Sequence, residues 1–216
     1  MVVLKTFDVR RQCMMDEFLA RVDVSGQFPE LLPARSFSAI NANLRRTVLD
    51  RVEIDCTLPL KPFGKRVDSE MFDECEVTLR TADLLAVSCR VGWNGLGPGM
   101  GVHPDGQVED AIYRIQSGDT IEAAGVLRQD RLDDLRRLLE ARFREDNPQE
   151  FADADPEWVT EVLAATIESP LLTRHGLLLR YAGHHYDFEL TLPYSDAAQF
   201  LQPSILAALK TRTPPN

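Results

Sequence analysis

The sequence predicts an α+β fold: an antiparallel sheet built from hairpins, with helices packed on it. Three observations predict it. Both ends of the chain alternate apolar and polar residues, the middle repeats apolar residues three or four apart, and turn residues separate the two patterns. The segments follow one another without a repeat, low-complexity stretch or linker, so residues 1–216 read as a single domain with a frayed tail over 211–216.

Val2 to Val9 and Phe18 to Val24 alternate as strands, and Gly26-Gln27-Phe28-Pro29-Glu30 reads as the turn after them. Phe37, Ile40, Leu44, Val48 and Val52 form one helical stripe with Ser36 as its N-cap, and Pro59 and Pro62 end it. Met71 to Gly92 reads as a hairpin about Thr81-Ala82-Asp83. That register sets Leu79 opposite Leu85, Val77 opposite Val87 and Cys75 opposite Cys89, on one face. A strand from Val108 to Ile115 ends in a turn at Ser117-Gly118-Asp119.

Asp130 caps a helix with the stripe Leu132, Leu135, Leu139 and Phe143, whose wet face offers Asp133 to Arg137 and Glu140 to Arg144. Asp155-Pro156-Glu157 opens another, with proline in the first turn. Leu171 to Thr173 and Leu177 to Leu179 flank an Arg174-His175-Gly176 turn. Tyr186, Phe188, Leu190 and Leu192 alternate as the next strand. Ser195-Asp196 caps a helix from Ala197 to Leu201, which restarts after Pro203.

Charge narrows the function. A formal net charge of -10 with no basic run excludes a phosphate-backbone partner and favours a basic protein. No stretch approaches the roughly 20 apolar residues that span a bilayer. The first nine residues lack the parts of a signal peptide, so the chain is either cytoplasmic or exported with its signal absent from this sequence. The four cysteines, Cys13, Cys56, Cys75 and Cys89, include no CxxC pair, and the four histidines lack HxxxH spacing, so no metal site is expected. His184 and His185 are adjacent and point to opposite faces of a strand. Cys75 and Cys89 are placed either as a disulfide or as a buried reduced pair.

Catalytic signatures are missing too. There is no GxSxG elbow, no phosphate-binding glycine spacing and no singled-out carboxylate pair, so the expected role is binding, without cofactor and without enzymatic activity. The most unusual segment runs from Trp93 to Gly106, with glycines at 95, 97, 99, 101 and 106. Trp93, Asn94, Met100, His103 and Asp105 make it the candidate binding loop, with Asp105, Glu109 and Asp110 steering a basic partner. Tyr186 adds a second aromatic face. The bland alternatives are a tightly turned connection and a Trp93 that fills the core.

Phe28-Pro29-Glu30-Leu31, Ile40-Asn41-Ala42-Asn43-Leu44, Leu84 to Ser88, Gly99-Met100-Gly101-Val102-His103-Pro104, Tyr113 to Asp119, Leu171 to Leu177 and Leu192-Pro193-Tyr194-Ser195 occur in an order that resembles the RsiV-like extracytoplasmic domain family. That domain is also found attached to the peptidoglycan deacetylase PdaC. The resemblance covers most of residues 28 to 209, and its methionine at Met100 is inserted in the family's pattern. It implies an exported recognition domain, one relative of which binds lysozyme as part of an anti-sigma factor. The membrane segment, sigma-binding part and deacetylase domain have no counterpart here, so those roles do not carry over. The expectation is a periplasmic or otherwise extracytoplasmic protein recognising a muramidase-like enzyme as inhibitor, immunity factor or sensor. The alternatives are a module that binds peptidoglycan or another envelope glycan, and a hydrolase without a recognisable motif.

Overall fold

The computed structural model describes residues 1–15, 18–51, 66–95, 105–146, 148, 155–182 and 187–211, with the backbone alone for residues 7–15, 18–24, 47–51, 66–74, 91–95, 105–107, 182 and 187. It is α+β. A five-stranded sheet has the order β1 (Val2–Met15), β2 (Phe18–Leu31), β3 (Arg66–Arg80), β4 (Leu84–Gly95), β5 (Asp105–Arg114). A three-stranded sheet has the order β6 (Leu171–Leu172), β7 (Gly176–Ala182), β8 (Asp187–Pro193). The chain divides into two compact units: residues 1–76, 88–109 and 116–118 form the first, and residues 77–87, 110–115 and 119–216 the second.

In the first unit, β1 and β2 form a long antiparallel ladder from Val2↔Leu31 to Met15↔Phe18. The expected turn at Gly26 to Glu30 is therefore strand. Proline is tolerated there for a geometric reason. Leu32 N–H donates to the Met1 carbonyl, which fixes the odd residues of β1 as the hydrogen-bonded pairs. Pro29 lies opposite Leu4, in a pair of the other kind, so its nitrogen faces away from β1. On that side β3 pairs only as far as Gln27↔Glu74, and no ladder bond is lost.

The β2–β3 pair runs parallel, from Leu19↔Arg66, within a fold otherwise made of hairpins. Parallel neighbours need a crossover. Here it includes a 3-10 turn (Ala34–Phe37) and α1 (Ser38–Arg51). Ser36 lies inside the 3-10 turn and is not an N-cap; its N–H reaches the Pro33 carbonyl. Ile40 and Leu44 are buried with Leu31 as the stripe requires, and Phe37 is half-buried. Val52, Pro59 and Pro62 lie outside the described residues, as does the side chain of Val48.

The asparagines of the Ile-Asn-Ala-Asn run are structural. Asn41 accepts from the Leu31 N–H at 2.8 Å and donates to the Leu31 carbonyl at 2.9 Å, replacing a strand neighbour where β2 ends. Asn43 donates to the Gly118 carbonyl. Gly118 has φ 78°, and a Cβ there would stand 2.7 Å from the Ile40 nitrogen, so only glycine fits this turn. We expect Asn41→Ala to cost about 1–3 kcal/mol, because two part-buried backbone groups lose their partner. Asn41→Asp should restore only the acceptor half, and chemical denaturation of the three proteins checks the ranking.

Cys75 and Cys89 form a disulfide across β3 and β4, with Cα atoms 4.0 Å apart, so the expected pairing holds at that end. The register at the turn does not. Thr81 N–H donates to the Leu84 carbonyl, which sets Leu79 opposite Ala86 instead of Leu85. Leu79, Leu84 and Ala86 accordingly share one buried cluster, while Leu85 and Val87 are buried outside it. Travelling from the turn to the disulfide, β3 uses one more residue than β4. That requires a β-bulge on β3 between Cys75 and Thr81. Consecutive half-buried residues at Val77 and Thr78 break the alternation there, and the Thr78 hydroxyl leaves the ladder to donate to the Leu172 carbonyl.

Among the described residues, one large apolar cluster lies in the second unit. After a single turn, α2 (Ala123–Val126), come α3 (Leu132–Asp146) and α4 (Pro156–Glu168). Leu135, Leu139 and Phe143 pack with Val159, Leu163 and Ile167 and with Leu177, Leu179, Phe188 and Leu192 of β7 and β8. Asp155 caps α4 as expected, accepting from Glu157 N–H at 2.9 Å. Asp130 does not cap α3. It sits in a 3-10 turn (Gln129–Arg131), where hydrogen bonding from Arg128 holds its carboxyl below the usual range. Glu140 pairs with Arg144 as expected, but Asp133 takes Arg136, while Arg137 reaches Asp134.

The hairpin read at Leu171 to Leu179 is present, with Leu171↔Leu178 and Leu172↔Leu177. Gly176 is needed for space: a Cβ would meet the Leu192 carbonyl oxygen of β8 at 2.0 Å. The helix expected from Ala197 to Leu201 is displaced. A single turn, α5 (Tyr194–Ala197), ends before it, Leu201 bridges to Leu127, and α6 (Pro203–Leu209) follows. The Ser195 hydroxyl is spent on its neighbour Asp196, so it caps nothing.

Candidate functional site

The candidate segment is in part strand: Trp93, Asn94 and Gly95 belong to β4 and Asp105 and Gly106 to β5, while residues 96–104 lie outside the described residues. The two strands are neighbours, and Ile115 N–H donates to the Asp83 carbonyl at their far ends. Trp93 and Asn94 are thereby brought to the same sheet end as Asp105, all within the first unit. Met100, His103 and Tyr186 lie outside the described residues, as do the adjacent His184 and His185. Among the described residues no three His, Cys, Asp or Glu side chains group as metal ligands.

Glu109 is exposed on β5, but Asp110, expected beside it as a steering charge, is not. Its carboxylate is 3% exposed and takes a two-pronged contact from Arg180 of β7, with Nε to Oδ2 at 2.8 Å. Successive strand residues face opposite ways, so Glu109 is exposed where the Asp110 carboxylate is buried. On α3 the charges pair along the helix. By contrast, α4 exposes Glu157, Glu161 and Glu168, and none appears in an ion pair among the described residues. No Lys or Arg occurs between Arg144 and Arg174. The acidic surplus is concentrated there.

At the β6–β7 turn the Thr173 hydroxyl accepts from His175 and Gly176 N–H, both at 3.1 Å, and leaves Arg174 and His175 exposed. Tyr194 donates to the Thr173 carbonyl at 2.7 Å, and burial pushes its phenol up to about 12. Its contribution to stability is present below its ordinary pKa near 10 and lost as pH rises through about 12. Sequence reasoning missed both this contact and the Asp110–Arg180 pair. The one signal for the pair was an arginine closing the Leu177-Leu178-Leu179 run and an aspartate entering Ala111-Ile112-Tyr113. A charge inside an apolar strand needs a buried counter-charge.

No protein-family model matches the sequence, and no curated protein does either. Solved structures do match. A DUF3298-family protein of Pseudomonas aeruginosa PAO1 superposes with a TM-score of 0.60 at 11% identity, covering 100% of this chain and 98% of that one. A DUF3298-family protein of Bacteroides fragilis NCTC 9343 gives a TM-score of 0.56 at 11% identity, covering 97% of each. The chain therefore shares the α+β fold of DUF3298-family proteins over its whole length.

Proposed function

We propose that the protein is a non-enzymatic RsiV-like recognition domain of the cell envelope, which binds a basic, muramidase-like enzyme as inhibitor, immunity factor or sensor. The observation that carries this reading is the fold shared with DUF3298-family proteins over both whole chains, since that family is related to RsiV-like domains. Two features support it. The disulfide between Cys75 and Cys89 suits an oxidising compartment outside the cytoplasm. The exposed carboxylates of α4, which form no ion pair among the described residues, suit a cationic partner drawn in by its charge.

The partner surface in this reading is the β4–β5 end carrying Trp93, Asn94 and Asp105. Surface-immobilised protein should bind a basic lysozyme, with association slowed by added salt more than dissociation is hastened. Trp93→Ala should weaken that complex by about 2 kcal/mol, as loss of an aromatic anchor does, with the melting temperature kept. A lowered melting temperature with full affinity would assign Trp93 to the core. Sedimentation with insoluble peptidoglycan, and no capture of any basic muramidase, would replace the protein partner with a glycan.

A further inference from the structure

We propose that the outer edge of β1 pairs with β1 of a second copy of this chain, giving a two-fold dimer through a continuous antiparallel sheet. β1 is the end strand of its sheet, and among the described residues no strand pairs with its outer side. It runs fourteen residues with one-to-one register and no bulge, whereas edge strands are usually short or interrupted to prevent such pairing.

The hydrogen bonds from Leu32 N–H to Met1 O and from the Met1 amine to Leu32 O commit the odd residues of β1 to β2. The N–H and C=O groups of Val2, Leu4, Thr6, Asp8, Arg10, Gln12 and Met14 therefore point to the open edge. Those positions also share one sheet face.

Their order is self-complementary about Val9. In an antiparallel pairing centred there, Leu4 lies opposite Met14 of the other copy, Thr6 opposite Gln12, and Asp8 opposite Arg10, each twice by symmetry. Residues of opposite charge, and apolar residues, thus occupy facing register positions across the ladder. Leu4 is 51% exposed within one copy, and this register gives it an apolar neighbour. Lys5, the edge lysine that would ordinarily discourage pairing, is held by Glu30 of its own β2 at 3.3 Å.

Light scattering on the whole chain should give about twice the mass of the 24.3 kDa protomer as concentration rises. Thr6→Pro removes an outward N–H without touching a β1–β2 bond, and should return the protein to monomer with its circular dichroism unchanged and the melting temperature of the wild type diluted to monomer. A Val9→Cys substitution tests the register. Position 9 meets itself across the two-fold as a non-hydrogen-bonded pair, with Cα atoms about 4.5 Å apart, so it should crosslink the dimer on mild oxidation where Asp8→Cys does not. Should Thr6→Pro fail to fold, the crosslink decides alone. A wild type that stays monomeric at its highest soluble concentration overturns the proposal, as does a dimer that survives Thr6→Pro in its folded form or crosslinks through position 8 and not 9.

Discussion

Asp110→Ala should lower stability by about 3–5 kcal/mol. Asp110 holds β5 to β7 through the Arg180 guanidinium, and with the aspartate 3% and the arginine 20% exposed, water cannot replace either partner well. Removing the carboxylate leaves a cation facing the space it occupied, which costs more than the pair contributes. Asp110→Asn should cost somewhat less, since it keeps one acceptor for Nε, and Arg180→Met should strand the carboxylate and cost about as much as Asp110→Ala. The double replacement Asp110→Leu with Arg180→Met is the informative one. Two apolar side chains of similar volume should recover most of the loss, because neither charge is then buried. Urea unfolding of these variants, with Asp110→Leu made alone to close the double-mutant cycle, gives the coupling energy. Single substitutions costing under about 1 kcal/mol would show that water reaches the pair, as it does at a surface bridge.

What was legible in the sequence follows from how local each signal is. The Asp155-Pro156-Glu157 cap and the β6–β7 hairpin are specified within a few residues, and both are where the pattern puts them. The extent of β2 was not legible. Pro29 stops a strand only where its nitrogen faces a neighbour, and which side it faces depends on pairing with Met1 and Leu4. The parallel register of β2 with β3 depends on a crossover, for which no residue of either strand carries a mark. At the hairpin, the two cysteines and the turn were each readable. A bulge between them breaks even alternation, which puts Leu85 and Val87 outside the cluster that holds Leu79. The candidate site was legible as a segment, through its glycines and Trp93. Its position at the β4–β5 end came only with the strand order. The burial of Asp110 is invisible locally because its partner lies 70 residues away.

Replacing both Cys75 and Cys89 with Ala should cost about 3 kcal/mol, the loop-closure entropy that a crosslink over roughly 15 residues removes from the unfolded chain. For a chain of this size that corresponds to a melting temperature lower by about 6–12 °C. The pair closes a loop with a sequence separation of 14, and both side chains are buried, at 2% and 6% exposure, so the native bond is shielded from reductant. Substitutions made singly distinguish the crosslink from a pair of thiols that merely fill space. Either one breaks the bond, so Cys75→Ala and Cys89→Ala should each lose nearly the full amount, and the double variant little more. Two packed thiols would behave otherwise, with small losses that add. Refolding with and without reductant supplies the second measurement. Reductant should destabilise the wild type by the same amount as the double substitution and leave the double variant unchanged. Small, additive losses together with indifference to reductant would show that the cysteines are held reduced, and would remove the oxidising compartment from the support for the proposed function.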